Sequence, residues 1–438
     1  MMRRTAVVVL MMVTAAAAQT AESQGRQIPR VTVLQCGALI DGRSNDVRRN
    51  VQITVRGNKI ESVESLDNSH PSKTSQGGAP EAIDLSKATC LPGLIDTHTH
   101  IVLQGDIIVD YDEQLLKQSA PYRAIRAVAA SEMCLEHGFT SIRDLETEGA
   151  GYIDVDIKKA INNGLIPGPR MQVVARALDV TGAYALLGYN WEYDFPHGVQ
   201  VCDSPDGCRK AVREQISHGA DWIKVYADQR TFPGPNNTID SRPTFTVDEL
   251  KAIVDEAHRE RRRVAAHASG LTGVHTAVEA GVDSIEHGNY IADADLKTMA
   301  AKGTWYVPTP WLSEYRMQEF PEQKAAMERS DMIYADTFKR ARAAGVKIAY
   351  GTDAGAFEWT ITPAMQLPTM VRYGMTPMQA IQSATSVAAE LFGWQDAVGA
   401  IEPGKFADIV AVAGDPIADI GVLKKMSFVM KDGVVIKH

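Results

Sequence analysis

The stretch LPGLIDTHTH, residues 91–100, ends an apolar run on two histidines, His98 and His100. On a β-strand, alternate side chains leave the backbone on one face, so these imidazoles would emerge side by side. Paired imidazoles suit a metal ion, although a polar strand end produces the same pair. Further metal-capable residues close other apolar runs: Lys224 in DWIKVYAD, His267 in RVAAHAS, His287 in VDSIEHGN and Asp353 in VKIAYGTDAG. Singly, each has an ordinary explanation as a satisfied polar residue, an ion-pair lysine or a turn former. All six at the ends of strand-like runs form the informative pattern. Such nitrogen and oxygen donors suit a divalent metal ion.

Eight strand-like runs must position these groups: GLIDTHTH, FTSIRDL, MQVVARAL, DWIKVYAD, RVAAHAS, VDSIEHGN, TWYVPTP and VKIAYGTDAG. Helical patterns such as PYRAIRAVAASEMCLEHG and TVDELKAIVDEAHRERR separate most of them. Eight strand–crossover units predict an α/β fold, a (β/α)8 TIM barrel, whose catalytic groups gather at the carboxyl ends of the strands. A doubly wound sheet is the alternative, but it has no need of eight units. The barrel is assigned to residues 91–394. Both flanks are β-rich, with hairpin turns at Gly57-Asn58 and Asp432-Gly433. Residues 31–90 and 395–438 are therefore expected to form one composite β-sandwich domain.

The 438 residues are 45% hydrophobic, enough for a large core, and the net charge of -9 gives no footprint for nucleic acid or anionic membranes. MMRRTAVVVLMMVTAAAAQTA reads as a signal peptide over residues 1–18, followed by a polar linker over 19–30. Its apolar run falls short of the roughly 20 residues of a membrane span. A periplasmic or secreted protein with no membrane contact in the mature form is expected. The cysteines lack CxxC spacing; CDSPDGC places Cys202 and Cys208 at the ends of a turn, where an oxidising compartment would favour a disulfide.

LPGLIDTHTH, IKVYAD, AAHASG, IEHGN and GTDAG, with the tail SATSVAAELFGWQDAVGAIEPGKFADIVAV, resemble the amidohydrolase superfamily. The resemblance runs from about Val31 to the end. It is closest to an exported branch of dipeptidases and acyl-amino-acid hydrolases, related to prolidases and ochratoxin hydrolases. It implies two zinc ions per chain: one held by His98, His100 and Asp353, the other by His267 and His287. Lys224, as a carbamate (carboxylysine), would bridge them. A metal-bridging hydroxide would attack an amide, and Asp353 would shuttle the proton to the leaving amine. Tyr226, two residues beyond Lys224 on the same strand face, is assigned to substrate binding or else to packing within the barrel. The mononuclear deaminase branch usually carries a carboxylate shortly after the strand-five histidine; HASGLTG has none. The resemblance also implies a homo-oligomer.

Substrate choice rests on the loops after the strands, which hold Tyr184, Tyr189, Trp191, Tyr193, Phe195, Trp311, Tyr315, Phe357 and Trp359. They suggest an apolar pocket mouth or an oligomer contact. Where relatives carry a glycine-rich segment with a histidine after strand three, this chain has TGAYALLG. The expected substrates are N-acyl amino acids, dipeptides or ochratoxin A, cut to release an amino acid with a bulky apolar or aromatic side chain. A cyclic amide or lactone hydrolase on the same metals is the alternative. A non-catalytic binding protein would be expected to have lost ligands.

Overall fold

The computed structural model describes residues 30–66 and 81–438, apart from 185, 187 and 191. The predicted signal peptide, most of the linker (19–29) and Trp191 lie outside the described residues.

The apolar runs became strands because they can be buried on both faces, as parallel sheets require. Every residue of Leu94–Thr99, Phe139–Asp144 and Trp222–Tyr226 is buried. Leu94–Thr99 pairs in parallel with Phe139–Asp144, which pairs with Arg170–Val173. A second parallel series runs through Trp222–Tyr226, Arg263–Ala268, Ser284–His287 and Trp305–Val307. Backbone bonds link the two series at one junction: Asp221 donates to Val173, and Leu178 pairs with Val225. The eighth run links them at the other. Tyr306 N–H donates to Lys347 O at 2.9 Å, Thr97 N–H to Tyr350 O at 2.9 Å, and Asp353 N–H to His98 O at 2.7 Å. This is a TIM-barrel-type fold, in which the eighth run contributes isolated parallel bridges at Ile348 and Ala354 rather than a ladder.

Helices fill the crossovers where the 3.6-residue period predicted them. Ala120–Glu136 is capped by Ser119, and Val247–Arg259 opens on a capping box of Thr246 and Glu249. The chain ends meet in one seven-stranded sheet. Its order is Val434–Lys437, Phe428–Lys431, Ile409–Ala413, Glu81–Pro92, Val31–Ile40, Val47–Arg56, Lys59–Ser65. Leu34, Val51, Ile53, Ile409 and Phe428 give it an apolar core of its own.

The cysteine pairing differs from the expectation. Cys36 is bonded to Cys90, with Cα atoms 6.0 Å apart, while Cys202 and Cys208 are buried free thiols. Pairing of Val31–Ile40 with Glu81–Pro92 sets Leu39 opposite Cys90, across a register shift between Cys36 and Ala38. Cys208 instead lies in the helix Pro205–Ser217, its Sγ 3.5 Å from the Cys202 carbonyl oxygen.

Candidate active site

His98, His100, Lys224, Tyr226, His267, His287 and Asp353 all line one cavity of about 510 Å³. Strand one supplies the first two. The loop after strand eight returns Asp353 to them: its Oδ1 lies 3.1 Å from His100 Nε2 and 3.5 Å from His98 Nε2. One donor atom from each of these three residues lies within 4.8 Å of the others, a group able to hold a metal ion. The His98 and His287 rings are 5.0 Å apart, and those of His287 and His267 4.5 Å. His287 Nδ1 is 2.8 Å from Thr309 Oγ1, and His267 Nε2 is 3.5 Å from Asp228 Oδ1.

Asp353 and His287 both adopt left-handed backbone, φ 63° and 69°, which non-glycine residues rarely take without support. For Asp353 the support is visible at Asp96, which is fully buried. One of its oxygens accepts from the His98 and Thr352 N–H groups at 3.1 and 3.0 Å, and the other from Thr352 Oγ1. Strand one and the turn bearing Asp353 are thereby locked together. Glycine permits the close approach: a Cβ on Gly351 would fall 2.3 Å from Val307 Cγ1 and 2.9 Å from His98 Cβ.

Beneath the cavity lies a buried relay that the sequence reading missed. Arg143 and Glu286 are both 0% exposed. Arg143 Nη2 donates to Glu286 Oε1 at 2.8 Å, and Glu286 Oε2 meets His98 Nδ1 at 2.9 Å. The carboxylate fixes the His98 tautomer, leaving the Nε2 lone pair facing Asp353 and the cavity. A signal was present. Ser141, Arg143 and Leu145 share one face of strand two by alternation, so an arginine there needs a buried acidic partner.

The electrostatics of His98, His267 and His287 suit lone-pair donors. Burial, then the Lys224 charge, lowers His98 to about 4 and His267 to about 3, and burial also drives His287 down. At His100 burial is outweighed by the Asp353 hydrogen bond and charge, which raise it to about 10. Burial lowers Lys224 as well, favouring the neutral amine that carbamate formation needs.

Tyr226 lines the cavity as expected, but its hydroxyl lies 2.5 Å from Glu146 Oε2 and 3.1 Å from Glu148 Oε1. These acids, from the loop RDLETEG after strand two, were not anticipated. The aromatic mouth is largely not one: Trp311, Tyr315, Phe357 and Trp359 are buried, with Trp311 packed edge-on against Phe357. Among the described residues, Tyr184 alone of the aromatics predicted for the loops lines the cavity, while Tyr189 and Tyr193 are exposed. Trp359 instead braces the site from behind, its Nε1 donating to the His100 carbonyl at 3.3 Å.

Imidazoles, a lysine and a carboxylate thus converge on one cavity of a TIM-barrel-type fold, and three of these groups could hold a metal ion. The chain belongs to the amidohydrolase family, whose model matches residues 89–437, and it is a hydrolytic enzyme. It is 33% identical over 372 residues to ochratoxinase from Aspergillus niger, covering 79% of this chain and 75% of that protein. It is similar to the crystal structure of a Xaa-Pro dipeptidase with methionine bound in the active site, at a TM-score of 0.81 and 34% identity. That match covers 93% of this chain and all of the other. A prolidase complexed with N-methylphosphonate-L-proline matches at a TM-score of 0.79 and 29% identity, again over 93% of this chain and all of the other. These relatives place the chain in the prolidase- and ochratoxinase-like branch.

Proposed function

We propose that this protein is an exported, binuclear zinc hydrolase that cuts an amide or peptide bond to release a C-terminal amino acid. The observation that carries the reading is the convergence of His98, His100, Lys224, His267, His287 and Asp353 on one cavity. His98, His100 and Asp353 would hold one ion and His267 and His287 the other, with Lys224 between them as a carbamate. The donor set fits zinc, since it mixes neutral imidazole nitrogen with carboxylate-type oxygen. Bound zinc would supply a nucleophile at neutral pH and polarise the scissile carbonyl.

The chain's own residues do the rest. Asp353 Oδ1, within 3.5 Å of both imidazoles of strand one, is placed to take a proton from the attacking water and return it to the leaving amine. Glu286 holds His98 in one tautomer. Tyr226 binds the substrate once its hydroxyl turns from Glu146 toward the cavity. At the cavity mouth Arg230 and Arg316 offer guanidinium groups to the product carboxylate. The leaving amino acid in this reading carries a bulky apolar or aromatic side chain.

The test is purified, zinc-loaded enzyme against dipeptides, N-acyl amino acids and ochratoxin A, reading free amino acid. Release from at least one class, lost together with one metal in Lys224→Ala, is expected. Opening of cyclic amides or lactones with no amino acid released would overturn the reading.

A further inference from the structure

The carboxylates after strand two exceed what the hydrolytic machinery uses. Glu146 and Glu148 are 0% and 2% exposed. The Tyr184 hydroxyl donates to Glu148 Oε1 at 2.5 Å, and the Tyr226 hydroxyl lies 2.5 Å from Glu146 Oε2. Among the described residues, Glu146 Oε1, Glu148 Oε2 and Asp106 Oδ1 have no hydrogen-bond partner, although all three oxygens are buried. Asp106 and Glu148 both line the cavity. Buried carboxylate oxygens without donors are costly unless a ligand completes them.

The guanidinium of Arg123 does not complete them. Arg123 is buried beside this loop, but its Nη1 and Nη2 donate to the backbone carbonyls of Glu148 and Thr147, at 2.7 and 2.6 Å. Asp106 is raised to about 7 by burial, then by the charges of Glu148 and Asp353. The Tyr184 and Tyr226 rings, 4.4 Å between centroids, add aromatic surface to the same wall.

We propose that Glu148 and Asp106, with Glu146 behind and the two tyrosine rings beside them, form a subsite for the free α-ammonium group of the substrate. A primary ammonium brings three N–H donors and a positive charge, and aromatic faces attract it further. The subsite borders the metal cluster: Glu146 O is 3.3 Å from His100 Nδ1, and the Tyr226 ring is 5.1 Å from that of His267. An ammonium there sits next to the scissile carbonyl, as the α-amine of a dipeptide does. The inference rests on the hydrolytic reading above and narrows it to unblocked dipeptides over N-acyl amino acids.

Two measurements separate the subsite from that reading. The first is the ratio of kcat/KM for L-alanyl-L-phenylalanine to that for its N-acetyl derivative. Truncating one partner of a buried charge pair justifies expecting a wild-type ratio of at least about tenfold, falling toward unity in Glu148→Gln. Asp106→Asn repeats the test should Glu148→Gln fail to fold. The second is calorimetric binding of L-alaninol against N-acetyl-L-alaninol, neither of which holds a peptide bond to the next residue. Preference for the ammonium in wild type, lost in the variants, upholds the subsite even if no peptide is cut, and only the hydrolytic reading then falls. Equal binding of the two alcohols, or a preference that survives Glu148→Gln, overturns the subsite.

Discussion

Glu286→Gln tests the relay beneath the metal cluster most directly. The carboxylate has two buried obligations, Arg143 Nη2 at 2.8 Å and His98 Nδ1 at 2.9 Å, and Ser284 Oγ also bonds it at 2.5 Å. Glutamine keeps the volume but has one acceptor oxygen, so either the guanidinium or the imidazole N–H faces an amide NH₂. Breaking a fully buried pair by neutralising one partner costs about 3–5 kcal/mol. A second route agrees. Burial would raise Glu286, yet Arg143 and His98 hold it down to about 2 from 4.5, a shift worth about 3 kcal/mol. Because the folded pKa is depressed, this stabilisation is complete above the ordinary carboxylate range and is lost as pH falls through about 2.

The urea midpoint of the metal-free variant at neutral pH should therefore drop well below that of wild type. Zinc affinity, read by competition with a chromophoric chelator, should fall by about 10–100-fold, because His98 loses the acceptor that fixes its tautomer. The double variant Arg143→Met/Glu286→Leu removes both charges. It should regain much of the stability but none of the zinc affinity. A Glu286→Gln protein with an unchanged midpoint and unchanged zinc affinity would refute the relay.

Gly351→Ala should displace His98, since the new methyl would sit 2.3 Å from Val307 and 2.9 Å from His98 Cβ. About 1–3 kcal/mol of overpacking and a fall in bound zinc per chain are expected; full zinc occupancy with wild-type activity contradicts it. The double variant Cys36→Ala/Cys90→Ala opens a loop with sequence separation 54, worth about 4 kcal/mol on chain-entropy grounds, and reductant should lower the wild-type midpoint in the same way. Thiol titration of the unreduced, denatured protein should find Cys134, Cys202 and Cys208 free; only one reactive thiol would restore the Cys202–Cys208 pairing.

The candidate ligands were legible because each lies in or at the end of a largely apolar, strand-like run, where a histidine, lysine or aspartate stands out. Glu286 was quoted within IEHGN yet passed over, since its neighbour His287 carried the more familiar chemistry. RDLETEG has the composition of an ordinary acidic loop, and nothing in the linear text marks Glu146 and Glu148 as buried. The aromatic loops misled in the opposite direction. Trp311, Tyr315 and Phe357 have the composition of a pocket mouth, but packing against one another buries more apolar surface than lining water would.

Local periodicity decided the strands, the crossover helices with their caps, and the set of metal-capable side chains, because those signals depend on neighbours a few residues apart. Tertiary structure alone decided that Cys36 meets Cys90, that Arg143 finds Glu286, and that Asp106 joins Glu148 at the cavity wall. Such pairings are set by which strands become adjacent when the ring closes, and charge or sulfur chemistry in the sequence carries no record of that distance.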